Sequence, residues 1–332
     1  MVKIAVLDDF VGNGATSADW SQLPATAQVD FIHEHLSEDE AAEALLDYEV
    51  LVTMRERTAF PGSLLRRLPN LKLVMCNGRN TQLDQKVATE LGIRVANSAA
   101  APSTTPAPTP SAPAPISAGG PTGELTWGLI IAVTRHLVEE AQSVREGGWL
   151  TRSGPGLSGK TLGIVGLGRI GSGVARVAGA FGMNVIAWSQ NLTDERASEQ
   201  GVRLVSKDEL FRESDIVTVH YVLSDRTRGI IGAHELGLMK PSAYLINTSR
   251  GPLVDEQALI EVLQNKRIAG AGMDVFHKEP LPPTHPFRTL DNVVATPHIG
   301  YGTDEGYVGF HQGNIRTILA YLAGEPLQEF TA

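Results

Sequence analysis

Residues 162–190 read LGIVGLGRIGSGVARVAGAFGMNVIAWSQ. Leu162 to Val165 is a short apolar run with the length and β-branched content of a strand. It runs straight into Gly166-Leu-Gly168-Arg-Ile-Gly171, a G-x-G-x-x-G. Ile170, Val174, Val177 and Phe181 then recur at helical spacing, and Met183 to Trp188 is a second apolar strand. The stretch is therefore a βαβ unit, the context in which this glycine motif binds a dinucleotide. Gly166 permits the tight turn, Gly168 lets backbone approach a pyrophosphate, and Gly171 lets the helix pack closely on the strand. The helix start at Arg169, Ile170 and Gly171 offers unpaired N–H groups and a positive dipole end to the phosphates.

The end of the second strand departs from the usual pattern. An Asp or Glu there takes the adenosine ribose hydroxyls, but this chain has Ser189-Gln190-Asn191. Without a carboxylate nothing repels a 2′-phosphate, and Arg196 is near enough in sequence to attract one. Both NAD(H) and NADP(H) are compatible with Ser189 and Gln190 at the adenosine end.

The 332 residues, 42% hydrophobic, are enough for two cores of ordinary globular size. A net charge of -9 without a basic run argues against nucleic acid or an anionic membrane as partner. The single cysteine, Cys76, cannot form an internal disulfide; it sits in an apolar strand and reads as packing. No secretory h-region and no apolar span of membrane length is present, so the expected compartment is the cytoplasm. No cluster with metal-ligand spacing stands out.

Residues 1–98 alternate short apolar runs with helical stretches. Strands are expected at Lys3–Leu7, Val29–His33, Val50–Met54, Leu71–Cys76 and Ile93–Ala96, with a capping box at Ser37-x-x-Glu40. Such alternation makes a parallel sheet covered by helices. Polar clusters follow two strands: Arg55-Glu-Arg57-Thr58, and Asn77-Gly78-Arg79-Asn80. Carboxyl ends of strands are where open α/β sheets bind ligands. Residues 99–123 are Pro, Ala, Ser, Thr and Gly with little to bury, an extended linker or a lid. Leu125, Leu129, Val133 and Leu137 then predict one amphipathic helix to about Arg145, with Trp127 and Trp149 near its ends as candidate subunit contacts. A second capping box, Ser206-x-x-Glu209, lies downstream, and six strands are expected from Leu162 onward. The last segment, 305–322, is expected to be a helix returning to the first domain. The predicted fold is thus α/β with two Rossmann-like doubly wound parallel sheets. A substrate domain of 1–98 plus 300–332 precedes and follows the inserted loop 99–123 and a dinucleotide domain of 124–299.

Ionisable residues recur at the carboxyl ends of the later strands. Arg250 follows Asn247-Thr248-Ser249, Asp274 ends the next strand, Glu279 lies five residues on, and His298 follows Thr296-Pro297. Reducing a 2-keto acid by hydride transfer needs a cation to hold the carboxylate and polarise the carbonyl, which suits the planar fork of Arg250. It also needs a proton donor to the developing alkoxide, the work of His298. Glu279 can bond the far imidazole nitrogen and fix the tautomer. His220 reads as shaping the adenine side, and His277 and His285 as solvated loop residues.

Five segments together resemble the D-isomer-specific 2-hydroxyacid dehydrogenases over nearly the whole chain. They are GKTLGIVGLGRIG at 159–171, His220 with Thr227-Arg-Gly, MKPSAYLINTSRGPLVDE at 239–256, GAGMDVFHKEPL at 270–281 and TPHIG at 296–300. The resemblance implies that Arg250, Glu279 and His298 are catalytic, agreeing with the chemical assignment. It implies further that Asp274 contacts the nicotinamide carboxamide, that Thr248 and Ser249 line the cofactor, and that Arg55, Asn77 and Gly78 lie on the substrate side. A homodimer built on the helix near 124–145, hinge closure, and a small 2-keto or 2-hydroxy acid as substrate are also implied. A regulatory domain like that of many phosphoglycerate dehydrogenases is not expected. A cofactor-sensing corepressor-type protein on the same fold is the alternative, although a pure sensor needs no proton donor.

Overall fold

The computed structural model describes residues 1–78, 80, 82–98 and 117–329. Arg79 of the second polar cluster and residues 99–116 of the Pro- and Ala-rich segment lie outside the described residues. The chain divides into two compact units, Met1–Thr109 with Gly302–Ala332, and Pro110–Tyr301.

In the first unit five parallel strands run in the order β2-β1-β3-β4-β5: β1 (Val2–Val6), β2 (Ala27–Phe31), β3 (Val50–Met54), β4 (Leu73–Asn77) and β5 (Arg94–Asn97). Every residue of β3 and β4 is buried, as expected of central strands covered on both faces. Side-chain alternation sends Ala5, Leu51 and Val74 to one face, against α1 (Glu38–Ala44), α2 (Gly62–Leu65) and α3 (Gln85–Glu90). It sends Ile4, Val52 and Met75 to the other. The Ser37–Glu40 capping box forms as predicted.

Seven parallel strands form the second sheet, in the order β12-β11-β10-β9-β6-β7-β8. They are β6 (Thr161–Val165), β7 (Asn184–Trp188), β8 (Arg203–Leu204), β9 (Ile216–Val219), β10 (Tyr244–Asn247), β11 (Gly270–Met273) and β12 (Val293–Ala295). The sequence predicts six; the addition is β8, whose two residues are too few for a period-two pattern to register. On one face lie α4 (Pro121–Thr134), α6 (Arg169–Ala180) and α7 (Asp194–Ser198), around Leu129, Ile130, Val174 and Ala178. On the other lie α8 (Lys207–Glu213), α9 (Ala233–Leu238) and α10 (Glu256–Gln264), around Phe211, Leu236 and Leu259. Burying a side chain such as Leu129 stabilises by roughly 1.5–3 kcal/mol.

The single helix expected to reach Arg145 is two. His136 takes a left-handed conformation (φ 51°), which ends α4 and starts α5 (Leu137–Arg145) on a new course. The apolar stripe accordingly holds at Leu129 and Val133 and fails at Leu137, which is 49% exposed. Trp127, expected at a subunit contact, is instead buried and stacks on Phe181 with centroids 4.8 Å apart. The last helix, α11 (Asp304–Leu322), belongs to the first unit, where Ile315 and Ile318 cover Ile4 and Val52. Beyond it, Asn97 N–H donates to the Gln328 carbonyl and Arg94 pairs with Glu329, tying the tail to the edge strand β5.

Candidate active site

The glycine loop leaves the carboxyl end of β6, where the chain turns to β7 on one side and later returns to β9 on the other. This reversal of strand order is where doubly wound sheets bind dinucleotides. Gly166 sits at φ 101°, and a Cβ there would meet the His220 carbonyl oxygen at 2.6 Å. At Gly171 a Cβ would lie 2.2 Å from the Gly166 oxygen, so no side chain fits between helix and loop. Gly168 is different: nothing lies within 4 Å of its Cβ position. It is also the N-cap of α6 and supplies no side-chain cap, leaving the first N–H groups at Arg169, Ile170 and Gly171 available to an anion. Turn, open approach and uncapped helix start fit a dinucleotide pyrophosphate. Arg169 is exposed and donates to the Gly119 carbonyl at 3.0 Å.

At the end of β7, Ser189 Oγ accepts from Leu167 N–H at 3.1 Å, bracing the loop. Gln190 N–H donates to the Tyr221 hydroxyl at 3.0 Å, and Tyr221 stacks on Trp188. No side chain with a negative charge occupies 189–191. His220 is within 3.0 Å of Thr218 Oγ1, and burial pushes its pKa down to about 4, so it is neutral at pH 7. Thr227 closes its own turn, accepting from Ser224 N–H and donating to the Val222 carbonyl.

The chemistry-bearing residues emerge from three adjacent strands, β10, β11 and β12. After β10, Asn247 is fully buried and folds the turn by accepting from Ser249 N–H and donating to the Arg250 carbonyl. Ser249 Oγ donates to the Tyr221 carbonyl. Thr126 Oγ1 spends its hydrogen on the Thr122 carbonyl, so the 2.8 Å contact with Thr248 has Thr248 as donor. Arg250 is half-buried and bonds the Ser249 carbonyl at 2.7 Å.

Asp274 ends β11 with no exposed surface. Its carboxylate accepts from Thr296 Oγ1 (2.6 Å), Ile299 N–H (2.9 Å) and Gly300 N–H (2.9 Å). These donors bracket His298, which is held in a left-handed conformation at φ 53°. Burial raises the Asp274 pKa, against the three hydrogen bonds and the nearby His298, which lower it.

His298 Nδ1 lies 2.6 Å from Glu279 Oε2, both side chains mostly buried. The other Glu279 oxygen accepts from Phe276 N–H at 2.8 Å, which fixes the carboxylate. An ionised carboxylate only accepts, so Nδ1 carries the hydrogen of this bond and Nε2 is left for another partner. The arrangement is an imidazole oriented by a carboxylate, a geometry that suits acid–base catalysis. His285, expected in solvent, is instead packed on Phe287 and 3.5 Å from Glu256, and its ring caps a short 3-10 turn.

In the first unit Arg55 is left-handed at φ 55° and lies against Gly78, whose φ is 91°. A Cβ on Gly78 would be 2.9 Å from Arg55 Cδ, so this glycine leaves room for the arginine stem. Asn77 does not join them. Its side chain is fully buried and borders a small internal cavity with Asp8, Asp9, Tyr307 and His311. The last residue of a fully enclosed strand points inward there, a direction the polar cluster alone does not reveal. Cys76 is buried as packing predicts, and burial pushes its thiol up to about 11.

Residues 127–300 match the family model described as D-isomer specific 2-hydroxyacid dehydrogenase, NAD binding domain. The chain is similar to a D-3-phosphoglycerate dehydrogenase of Methanocaldococcus jannaschii, 38% identical over 81% of this chain and 49% of that protein. It therefore spans about half the length of that relative. A glyoxylate reductase of Aeropyrum pernix is 40% identical over 79% of this chain and 76% of its own length. Among solved structures, a phosphoglycerate oxidoreductase from Vibrio cholerae O395 superposes with a TM-score of 0.87 at 32% identity, covering 98% of this chain and all of the other. A formate dehydrogenase from Granulicella shares the fold at 21% identity, with a TM-score of 0.75 over 92% of this chain and 80% of the other. With the family model matching more than half its length, the chain belongs to the D-isomer-specific 2-hydroxyacid dehydrogenases.

Proposed function

We propose that this protein transfers a hydride between NAD(H) or NADP(H) and C2 of a small 2-keto or D-2-hydroxy acid. The observation that carries the reading is the oriented pair of His298, after β12, and Glu279, after β11, in the sheet whose β10 leads to Arg250 and whose β6 leads to the glycine loop. When bound, the nicotinamide supplies the hydride for reduction. Arg250 holds the substrate carboxylate and draws charge from the carbonyl. His298 Nε2 gives its proton to the carbonyl oxygen as the C–H bond forms, and takes it back in the oxidation direction. Glu279 carries no proton across; it holds the ring and stabilises its charge.

Domain roles follow from these assignments. Residues 124–299 are the dinucleotide domain, with Gly166, Gly168, Arg169, Ile170 and Gly171 at the pyrophosphate and Ser189, Gln190, His220, Thr227, Thr248 and Ser249 along the remainder; Asp274, fully buried, acts behind them by holding the turn of His298. Residues 1–98 with 300–332 recognise substrate through Arg55 and Gly78, with Asn77 supporting the turn from behind. The 99–123 segment joins them, its last three residues, Pro121 to Gly123, belonging to the first turn of α4. A homodimer is supported by Val138, Val144, Trp149 and Leu150, at 56%, 56%, 80% and 76% exposure, on and just after α5, which buries none of its own residues. A buried free thiol fits a reducing compartment such as the cytoplasm. Among the described residues no helix is long and apolar enough to cross a membrane.

The test is oxidation of NADH and of NADPH, followed by absorbance, against glyoxylate, hydroxypyruvate, pyruvate, phenylpyruvate, 2-ketoglutarate and phosphohydroxypyruvate. Turnover in at least one combination is expected. No turnover in any, with cofactor binding demonstrated by thermal shift, would overturn the proposal in favour of a cofactor sensor.

A further inference from the structure

The amino ends of β6, β9, β10 and β11 line a partly open cavity of about 190 Å³ within the second unit. Lys160, Asp215 and Ala269 each immediately precede one of these strands, and Tyr244 begins another. The residues that carry the reaction leave the opposite, carboxyl ends, so the cavity is a separate place in the sheet. Its volume is the liquid share of roughly six waters. That is below the roughly 300–1,000 Å³ of pockets for drug-sized ligands, so its occupant is small.

The lining combines an apolar body with a few polar groups. Pro155, Leu157 and Ile216 supply the apolar walls. Asp215 is already committed: it accepts from Thr161 N–H and from the Lys240 ammonium, 2.9 and 3.0 Å away. Lys160 is half-buried, and its ammonium has no hydrogen bond or ion pair with any described residue. Tyr244, buried, and Ser242, exposed, also line the space. Asp215 faces two lysines, Lys240 at hydrogen-bond distance and Lys160 within electrostatic reach, so this group of three carries one positive charge in excess. A partly buried cation beside hydroxyl donors is stabilised by an anion, and the apolar walls by a hydrocarbon body.

We propose that this cavity is a binding site for a small carboxylate with an apolar or aromatic body, distinct from the site of hydride transfer. Helix α4 links the two ends of the sheet. Thr134 in its last turn lines the cavity, and Thr126 two turns earlier accepts from Thr248, two residues before Arg250. Occupancy at the foot of α4 thus touches the element that braces the turn carrying Arg250.

The experiment is isothermal titration of the full chain with 3-phenylpropanoate, which has a carboxylate and an aromatic body but no keto group to reduce. Binding is expected to weaken at least tenfold in Lys160→Met and to be retained in Lys160→Arg. In Arg250→Gln it is expected to stay within about twofold of the unmodified protein. A thermal melt of each variant establishes that it is folded. Absence of binding at millimolar probe, equal binding in Lys160→Met, or binding lost only in Arg250→Gln would each overturn the proposal. None of these readouts depends on turnover, so failure here leaves the dehydrogenase reading untouched, and the reverse also holds.

Discussion

The carboxylate of Asp274 and the backbone N–H of Gly300 lie 2.9 Å apart, across 26 residues of sequence. With Thr296 Oγ1 and Ile299 N–H on the other oxygen, this bond clamps the turn that carries His298 at a positive φ. Asp274 therefore positions His298, the proposed proton donor, through the residues on either side of it.

Asp274→Asn replaces one of the two acceptor oxygens by an amide NH2, so either Gly300 N–H or the Thr296 and Ile299 donors lose their acceptor. The kcat is expected to fall roughly 10–100-fold, the usual loss when a supporting partner is removed. Cofactor affinity, measured by fluorescence titration of NADH, is expected to stay within about threefold. A loss confined to cofactor affinity would show instead that Asp274 works by contacting the nicotinamide.

Glu279→Gln keeps the shape beside His298 Nδ1 and removes the charge. The structure gives Glu279 a second bond from Phe276 N–H, so the side chain stays in place. A drop in kcat of roughly 10–1,000-fold with little change in KM is expected, because the charge matters when the imidazolium forms. Steady-state kinetics in both reaction directions measures it.

His220 is held neutral by burial, with its pKa lowered from 6.5 to about 4. The unfolded chain binds the proton more readily than the folded one, so stability rises with pH through this window. The contribution is fully present above about 6.5 and is lost as pH falls toward 4. Over the whole window the loss is on the order of 3 kcal/mol. Melting temperatures between pH 7 and pH 4 are expected to fall more steeply for the unmodified protein than for His220→Gln.

Residue types that chemistry demands at a fixed spacing were legible without coordinates. The glycines of the loop, Arg250, Glu279 and His298 are of this kind, and so are the capping boxes at Ser37 and Ser206. Buried strands were legible from their continuous apolar runs, with ends displaced by a residue or two. Features that depend on distant folding were not. The inward turn of Asn77 depends on α11, more than 200 residues later, closing over Asp8 and Asp9. The clamp by Asp274 depends on a turn that forms only after β12 is laid down. A single left-handed residue, His136, splits a periodic stripe without changing its period. Two-residue β8 has no periodicity to detect.

Gln190 stands where a carboxylate would exclude a 2′-phosphate. Its N–H is anchored on the Tyr221 hydroxyl, so a substitution keeps the backbone in place. Gln190→Asp is expected to raise the KM for NADPH at least about tenfold while changing that for NADH by less than about threefold, through like-charge repulsion. Paired Michaelis curves for the two cofactors check it.

The most direct measurement is the turnover of His298→Ala with the best 2-keto acid, alongside titration of its cofactor affinity. Removing the imidazole leaves Arg250 and the glycine loop intact, so cofactor binding is expected to be preserved. Turnover is expected to fall roughly 10²–10⁴-fold, the share a positioned acid–base group contributes. Turnover within about twofold of the unmodified protein would contradict the assignment of His298 as the proton donor.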